Sequence, residues 1–365
     1  MSRARTFADL ATASEAGDLG QRNIIINGNM QVAQRSTSVA VTASGFHTCD
    51  RWGIALSSDG RFTMSQASIT DLEGFGKALK LDCTTADTSI ASDELLLLYQ
   101  RFEGQFLQKM QKGFSTAKPV TLSFYVKGNA NATYVAELLD ADNSNRHINK
   151  SFSVTTSWSR VSLTFPGDTT GKLDADNANS LRLHIWLHGG SNYTSGTLQT
   201  SWGSIVAANR AAGISSFFDS TDREFFITGV QMELGEVAQP FEHETFADNL
   251  QRCQRYYYVL ANGTSQPMGT GSWYGSTEID WFAKTPVTMR ATPSLEVEAG
   301  TNYYRSIGSN TYDDFNGVAL ASDKSVEGVY LYATNAGHGA SGTQGDASIV
   351  TTNNASAKVA LSAEL

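Results

Sequence analysis

The stretch Phe225–Leu260, FFITGVQMELGEVAQPFEHETFADNLQRCQRYYYVL, changes its hydrophobic period part-way along. Thr228, Val230, Met232 and Leu234 alternate, which predicts a strand with one buried face. Gly235 ends the alternation, and Pro240 holds the residue before it in an extended conformation. From Phe246 the spacing becomes helical: Phe246, Leu250, Cys253, Tyr257 and Leu260 follow at intervals of four, three, four and three. A β domain therefore closes near Thr245, and a helix over 246–261 leads away from it.

Upstream of this stretch, strand follows strand. TLSFYVKG sets Leu122, Phe124 and Val126 on one face, and RVSLTF does the same with Val161, Leu163 and Phe165. LRLHIWLHGG turns Leu181, Leu183, Ile185 and Leu187 inward and leaves Arg182, His184, Trp186 and His188 on the opposite face. NIIIN (23–27), DRWGIAL (50–56), ALKLDC (78–83) and YVAELLD (134–140) add further strands. So many alternating segments without a βαβ rhythm predict antiparallel sheets packed as a sandwich. GQFLQKMQKG (104–113) carries Phe106, Leu107 and Met110 and is expected to be a helical insert ending at Gly113. Downstream, SWYGSTEIDWF (272–282), SLEVEAG (294–300) and VEGVYLYAT (326–334) predict a smaller β domain over 262–365. Its core is thin for about a hundred residues, so oligomerisation is expected to supply part of its burial.

Composition narrows the function. A net charge of −9 with only 17% charged residues provides no basic groove for nucleic acid. The longest apolar run, LLLLY at 95–99, is too short to span a bilayer. No secretory signal is expected at the N-terminus, which lacks a continuous apolar core. Cys49, Cys83 and Cys253 are far apart and odd in number, a pattern that fits a reducing compartment better than a disulfide framework.

No zinc motif is present, and His184 and His188 lie about 13 Å apart along an extended strand, too far to share one ion. Asp140, Asp142 and Ser144, and likewise Asp174 and Asp176, have the every-second spacing that can gather oxygens around calcium. Such Asp-rich tips are also ordinary turn chemistry, so no metal or cofactor is assigned. There is no GxSxG, P-loop or GxGxxG, nor the long strand repeat of a β-helical glycosidase. An enzyme is not expected.

RNIIINGNMQVAQRS at 22–36 and GVQMELGEVAQPFE at 229–242 enclose YQRFEG (99–104), PVTLSFYVKG (119–128) and TTSWSRVSLTF (155–165). In that order, over roughly two-thirds of the chain, these segments resemble a class of phage virion proteins. In that class the first and last of them open and close a carbohydrate-binding-module-like jelly roll in tail fibres and tail-attached proteins. PVTMRATPSLEV (286–297) is similar to the segment after the jelly roll in the same class.

The resemblance implies a mainly β chain: an anchoring peptide at 1–21, a jelly-roll β-sandwich at 22–245, a connecting helix at 246–261 and a C-terminal β domain at 262–365. It implies docking to other tail proteins through the N-terminus, a homotrimer, host cell-surface polysaccharide as partner, and a place in the virion tail after assembly in the host cytoplasm.

A glycan site needs an aromatic face beside hydrogen-bonding side chains. Trp186, with Arg182, His184 and His188, supplies these types on one strand face, and Tyr125 would adjoin it if the strands pair. Trp, Arg and His are equally at home in subunit contacts, so a purely structural virion component stands as the alternative. Trp52 and Trp158 fall at strand starts within the shared motifs and are expected to be structural. Trp273, Tyr274, Trp281, Tyr303, Tyr304 and Tyr312 are the aromatic candidates of the C-terminal region.

Overall fold

A computed structural model describes residues 22–308 and 311–365; the expected anchor peptide, 1–21, lies outside the described residues. The chain divides into two compact units, one reaching to Thr245 and one over Phe246–Leu365. The first contains β1 (Ser38–Val41), β2 (Gly45–Phe46), β3 (Gly53–Ser57), β4 (Arg61–Ser68), β5 (Lys77–Thr85), β6 (Leu95–Glu103), β7 (Val120–Gly128), β8 (Ala132–Asp140), β9 (Arg146–Val154), β10 (Ser159–Phe165), β11 (Asn179–Gly189) and β12 (Glu224–Leu234). They form two six-stranded sheets, in the orders β1-β4-β5-β12-β7-β10 and β2-β3-β6-β11-β8-β9. All pairings are antiparallel, so the unit is a jelly-roll sandwich.

The alternation places the core as expected. Leu181, Leu183, Ile185 and Leu187 of β11 share one apolar cluster with Leu122, Phe124 and Val126 of β7. Trp52 is buried in the same cluster and donates its indole N–H to the Asn27 carbonyl at 3.1 Å. The opening and closing motifs meet: the Asn23 side chain accepts from Met232 N at 3.0 Å and donates to Val230 O at 3.1 Å. An Asn is suited to this because its amide both donates and accepts.

Several local readings differ from the structure. Residues 23–27 are loop, not strand, and 272–282 spans the turn between two paired strands, Pro267–Gly275 and Glu278–Lys284. Gly229, at φ +60°, is the extra residue of a bulge that shifts the register between Thr228 and Gln231. Phe225, Ile227, Val230 and Met232 therefore line the core, while Thr228 donates its hydroxyl to the Lys77 carbonyl. The insert at 104–113 is two 3₁₀ turns, Gly104–Phe106 and Gln108–Met110, ended by left-handed Gln111 and Gly113.

Between β11 and β12 the chain runs through a short helix, α1 (Ser191–Thr194), and a 3₁₀ turn at Ala207–Asn209. Tyr193, Leu198, Ala211 and Ile214 of this segment pack on Trp186, Leu97 and Val135. It thus caps the side of β11 that faces away from the main core.

The second unit opens with α2 (Phe246–Gln254) and continues through β13 (Tyr257–Asn262), β14 (Pro267–Gly275), β15 (Glu278–Lys284), β16 (Ser294–Glu298), β17 (Tyr304–Gly308), β18 (Thr311–Phe315), β19 (Ala319–Lys324), β20 (Gly328–Thr334), β21 (Ala347–Thr352) and β22 (Lys358–Ser362). These strands make a sheet β13-β22-β16 and a sheet β18-β17-β21-β14-β15-β20-β19. The helix expected over 246–261 is shorter than its pattern: Tyr257–Asn262 is a strand paired with β22. Aromatic and β-branched residues in YYYVL favour the extended state once a partner strand is available. The apolar core between the sheets includes Trp273, Ile279, Trp281, Tyr304, Phe315, Leu331 and Leu361. Among the described residues no helix is long and apolar enough to cross a membrane.

Candidate functional site

The row Arg182, His184, Trp186 and His188 was expected to face solvent, and the cap makes it an interior instead. Trp186 and His188 are fully buried, His184 is 6% exposed and Arg182 is half-buried. Tyr125 is not their neighbour: β7 lies in the other sheet, between β12 and β10. Its ring packs on Phe75 at 5.2 Å between centroids. The five residues expected to bind glycan therefore do not form one surface.

What the cap encloses is a charged network. Glu137 of β8, fully buried, accepts from His147 Nδ1 at 2.9 Å, His184 Nδ1 at 2.8 Å and Trp186 Nε1 at 3.0 Å. Arg210 of the cap closes a bidentate pair with it at 2.9 and 2.7 Å and lies over the Trp186 ring at 4.7 Å. Burial alone would raise the Glu137 carboxyl, but these hydrogen bonds and the guanidinium hold it well below the usual carboxylate range. Burial lowers His184, against the opposing pull of Glu137, so its imidazole is neutral near pH 7. With Glu137 ionised, Nδ1 of His184 carries the proton it donates. Two strands and a loop are bound here by one carboxylate, and no ring face is left for a ligand.

The Asp-rich tips are also internally satisfied. The Lys112 ammonium, buried, pairs with Asp140 and with Asp168 at 3.2 Å and donates to the Thr170 and Gly171 carbonyls at 2.9 Å each. Asp140 further accepts from Asp142 N and Asn143 N, and Asp142 accepts from Asp174 N. A lysine thus pairs with the Asp140 carboxylate that the first of these tips would have offered to calcium.

The open surface lies in the second unit. Tyr312 is 62% exposed, Ile307 45%, Ile349 50%, Phe282 57% and Tyr330 36%. Register makes them one row: Tyr312 is opposite Ile307, Ile307 opposite Ile349, Ile349 opposite Thr270, and Phe282 opposite Tyr330. Thr270 adjoins Phe282, because Gly271 pairs with Trp281 one step along. The row crosses six strands, roughly 24 Å at ordinary strand spacing.

Polar groups flank the row. Arg305 pairs with Asp314 at 2.5 and 2.9 Å and lies 4.1 Å from the Tyr312 centroid. Asp280 is 7% exposed, its carboxyl is pushed up by burial, and its Oδ1 accepts no hydrogen bond from the described residues. On the other face of β17 and β18, a cavity of about 240 Å³ is lined by polar side chains including Ser306, Asp313, Asp346 and Ser348. Of the C-terminal aromatic candidates, Trp273, Trp281 and Tyr304 are core, whereas Tyr274 and Tyr312 are exposed.

No protein-family model matches the chain, and no curated protein matches it. Among solved structures, a carbohydrate-binding module of family 4 is similar at 10% identity, covering 57% of this chain and 98% of its own, with a TM-score of 0.33. The family 11 module from Clostridium thermocellum, solved with a mixed-linked tetrasaccharide, matches at 14% identity over 56% of this chain and 98% of its own, TM-score 0.28. The enzymatically active domain of bacteriophage CBA120 tailspike protein 4 matches at 12% identity over 59% of this chain but only 22% of its own, TM-score 0.32. The jelly-roll assignment rests on the strand order of the two sheets.

The sequence reading missed Glu137 and the exposed row. One signal for Glu137 was present: an acid set among apolar residues in YVAELLD must find a partner if that strand is covered on both faces. For the row, the signal was the alternation that puts Phe282 and Tyr330 opposite the core positions of their strands.

Proposed function

We propose that this chain is a non-enzymatic phage virion protein, a tail fibre or tail-attached receptor-binding protein that recognises host surface glycans as a homotrimer. Residues 1–21 would dock it on the tail, and the outer face of β18-β17-β21-β14-β15-β20 would meet the sugar. The observation that carries this reading is the exposed row Tyr312, Ile307, Ile349, Phe282 and Tyr330. An exposed row of this kind, apolar but for Thr270, marks an interaction surface. Its rings offer the CH faces of pyranoses a stacking partner, and Asp314 and Arg305 stand within the same face to bind hydroxyls. Several copies on one particle turn weak single-site binding into firm attachment.

The test is binding of the purified full chain to host cells before and after periodate oxidation of their surface sugars. Binding should disappear on oxidation and fall at least tenfold in Phe282→Ala and Tyr330→Ala. Unchanged binding by folded variants removes this face as the contact.

A second reading, a purely structural virion part, is favoured by the aliphatic middle of the row. Ile307 and Ile349 suit packing against another copy better than stacking on sugar. Under it, Ile349→Asp dissociates the oligomer in sedimentation, and the wild-type chain binds no host cell.

A further inference from the structure

Beyond the Glu137 network, the first unit holds a second buried polar cluster, at the foot of the cap. Asp87 and Glu94 stand near the two ends of the β5–β6 connection, and His188 is the next-to-last residue of β11. One donor atom of each lies within 4.8 Å of the other two, and all three residues are buried. We propose that Asp87, Glu94 and His188 form a binding site for a divalent cation of the zinc class, which fastens the cap to the sandwich.

Two carboxylates share this interior, and among the described residues neither pairs with a lysine or arginine; their ion-pair partner there is His188 Nε2, 3.0 Å from Glu94 Oε2. Buried like charges at such range need a shared proton, which the Asp87–Glu94 side-chain hydrogen bond supplies when no ion is bound, or a cation in its place.

Each ligand is also steadied by a group outside the cluster. Asp87 accepts from Ser58 Oγ at 2.8 Å and from the backbone N–H groups of Asp59 and Ser89 at 3.2 Å each. Glu94 accepts from Ala91 N at 3.0 Å through its other oxygen. His188 Nδ1 is 2.8 Å from Ser216 Oγ. A hydrogen bond at Nδ1 is what fixes a ligating imidazole and leaves Nε2 for metal.

The donor set decides the class of ion. An imidazole nitrogen with two carboxylate oxygens suits zinc, whereas calcium and magnesium take oxygen shells. Tetrahedral zinc ligands stand about 3.4 Å apart; the His188–Glu94 pair, at 3.0 Å, would open slightly and Asp87, within 4.8 Å, would close in, with water completing the shell.

The position gives the ion its consequence. Gly190, where the cap begins, donates to the Glu94 carbonyl at 2.9 Å. Ser216, where the cap ends, touches His188 and also accepts from Phe218 N at 3.0 Å. A cation on these three ligands therefore ties both ends of the segment that covers Trp186.

The full chain, stripped with a chelator and dialysed, is titrated with Zn²⁺ in competition with a chromophoric chelator, and in parallel with Ca²⁺. One equivalent should bind with submicromolar affinity and raise the melting temperature, and Ca²⁺ should do neither. Glu94→Gln, which keeps the shape of the site, should weaken Zn²⁺ at least a hundredfold while the apo protein stays folded. Co²⁺ should give the intense visible bands of a tetrahedral site in the wild type and lose them in His188→Gln. No stoichiometric Zn²⁺ uptake, preference for Ca²⁺, or equal affinity in folded Glu94→Gln would each overturn the proposal.

Discussion

Trp186 of β11 donates its indole N–H to Glu137 of β8 at 3.0 Å, and both residues are fully buried. The ring therefore belongs to the joint between cap and sandwich, where Arg210 covers its other side. This relationship changes what substitutions at either residue should do.

Glu137→Gln should be severely destabilising. It leaves Arg210 without its bidentate partner and offers an amide N–H to groups that are already donors. Breaking a buried pair in this way costs about 3–5 kcal/mol. Urea denaturation followed by tryptophan fluorescence would measure it, and a loss under about 1 kcal/mol would mean the network is loosely held.

Trp186→Ala should unfold or loosen the cap instead of merely erasing a surface ring. Truncating a buried aromatic costs about 3–5 kcal/mol. Limited proteolysis should then cut within 190–216 in the variant and spare the wild type. A protease-resistant variant of normal stability would show that Trp186 is not part of the interior.

Stability should decline with acid in two stages. The folded His184 is depressed below its ordinary value of about 6.5. The unfolded chain therefore takes up that proton first, and stability falls as pH drops below about 6.5. Glu137 is depressed too, so its contribution is complete above about 4.3 and is lost as pH falls through the folded value. Denaturation midpoints between pH 7 and pH 3 would trace both stages. A midpoint that does not move below pH 6 would contradict a neutral His184 beside an ionised Glu137.

Lys112→Met should cost about 3–5 kcal/mol, because buried Asp140 would lose its ammonium partner while Asp168 keeps Arg146. Lowering the pH toward the carboxylate range should narrow the gap from wild type, since protonation relieves the unpaired charge. A gap constant with pH would locate the loss in packing alone.

Gly229→Ala should destabilise by roughly 1–3 kcal/mol. Its φ of +60° disfavours a side chain, and a Cβ would meet Phe75 Cζ at 2.7 Å and Tyr125 Cδ2 at 2.9 Å. Phe75→Ala should partly relieve the strain in a double-mutant cycle. Full additivity would mean the rings do not meet the new methyl group.

Much of the architecture was legible in the chain because period-two alternation is local. It identified the inward residues of β7 and β11, the antiparallel sandwich and the β character of the second region, though only a few of that region's strands. The bulge at Gly229 escaped because one inserted residue flips every later side chain, and only the pairing with β7 reveals it. Helix α2 was overextended because YYYVL fits both periods, and its partner β22 lies about a hundred residues downstream.

The sequence by itself determined which residues of each strand share a face. Only the tertiary structure decided what covers the second face. The segment 190–216 has no period that announces a cap, and it reaches Trp186 by packing between distant parts of the chain. The same non-local packing brought Glu137, His184 and Arg210 together. It also placed His188 beside Asp87 and Glu94, and left Phe282 and Tyr330 open to solvent. Alternation is set by backbone geometry within a few residues, whereas burial of the outer face depends on loop closure over a long span, which no local spacing encodes.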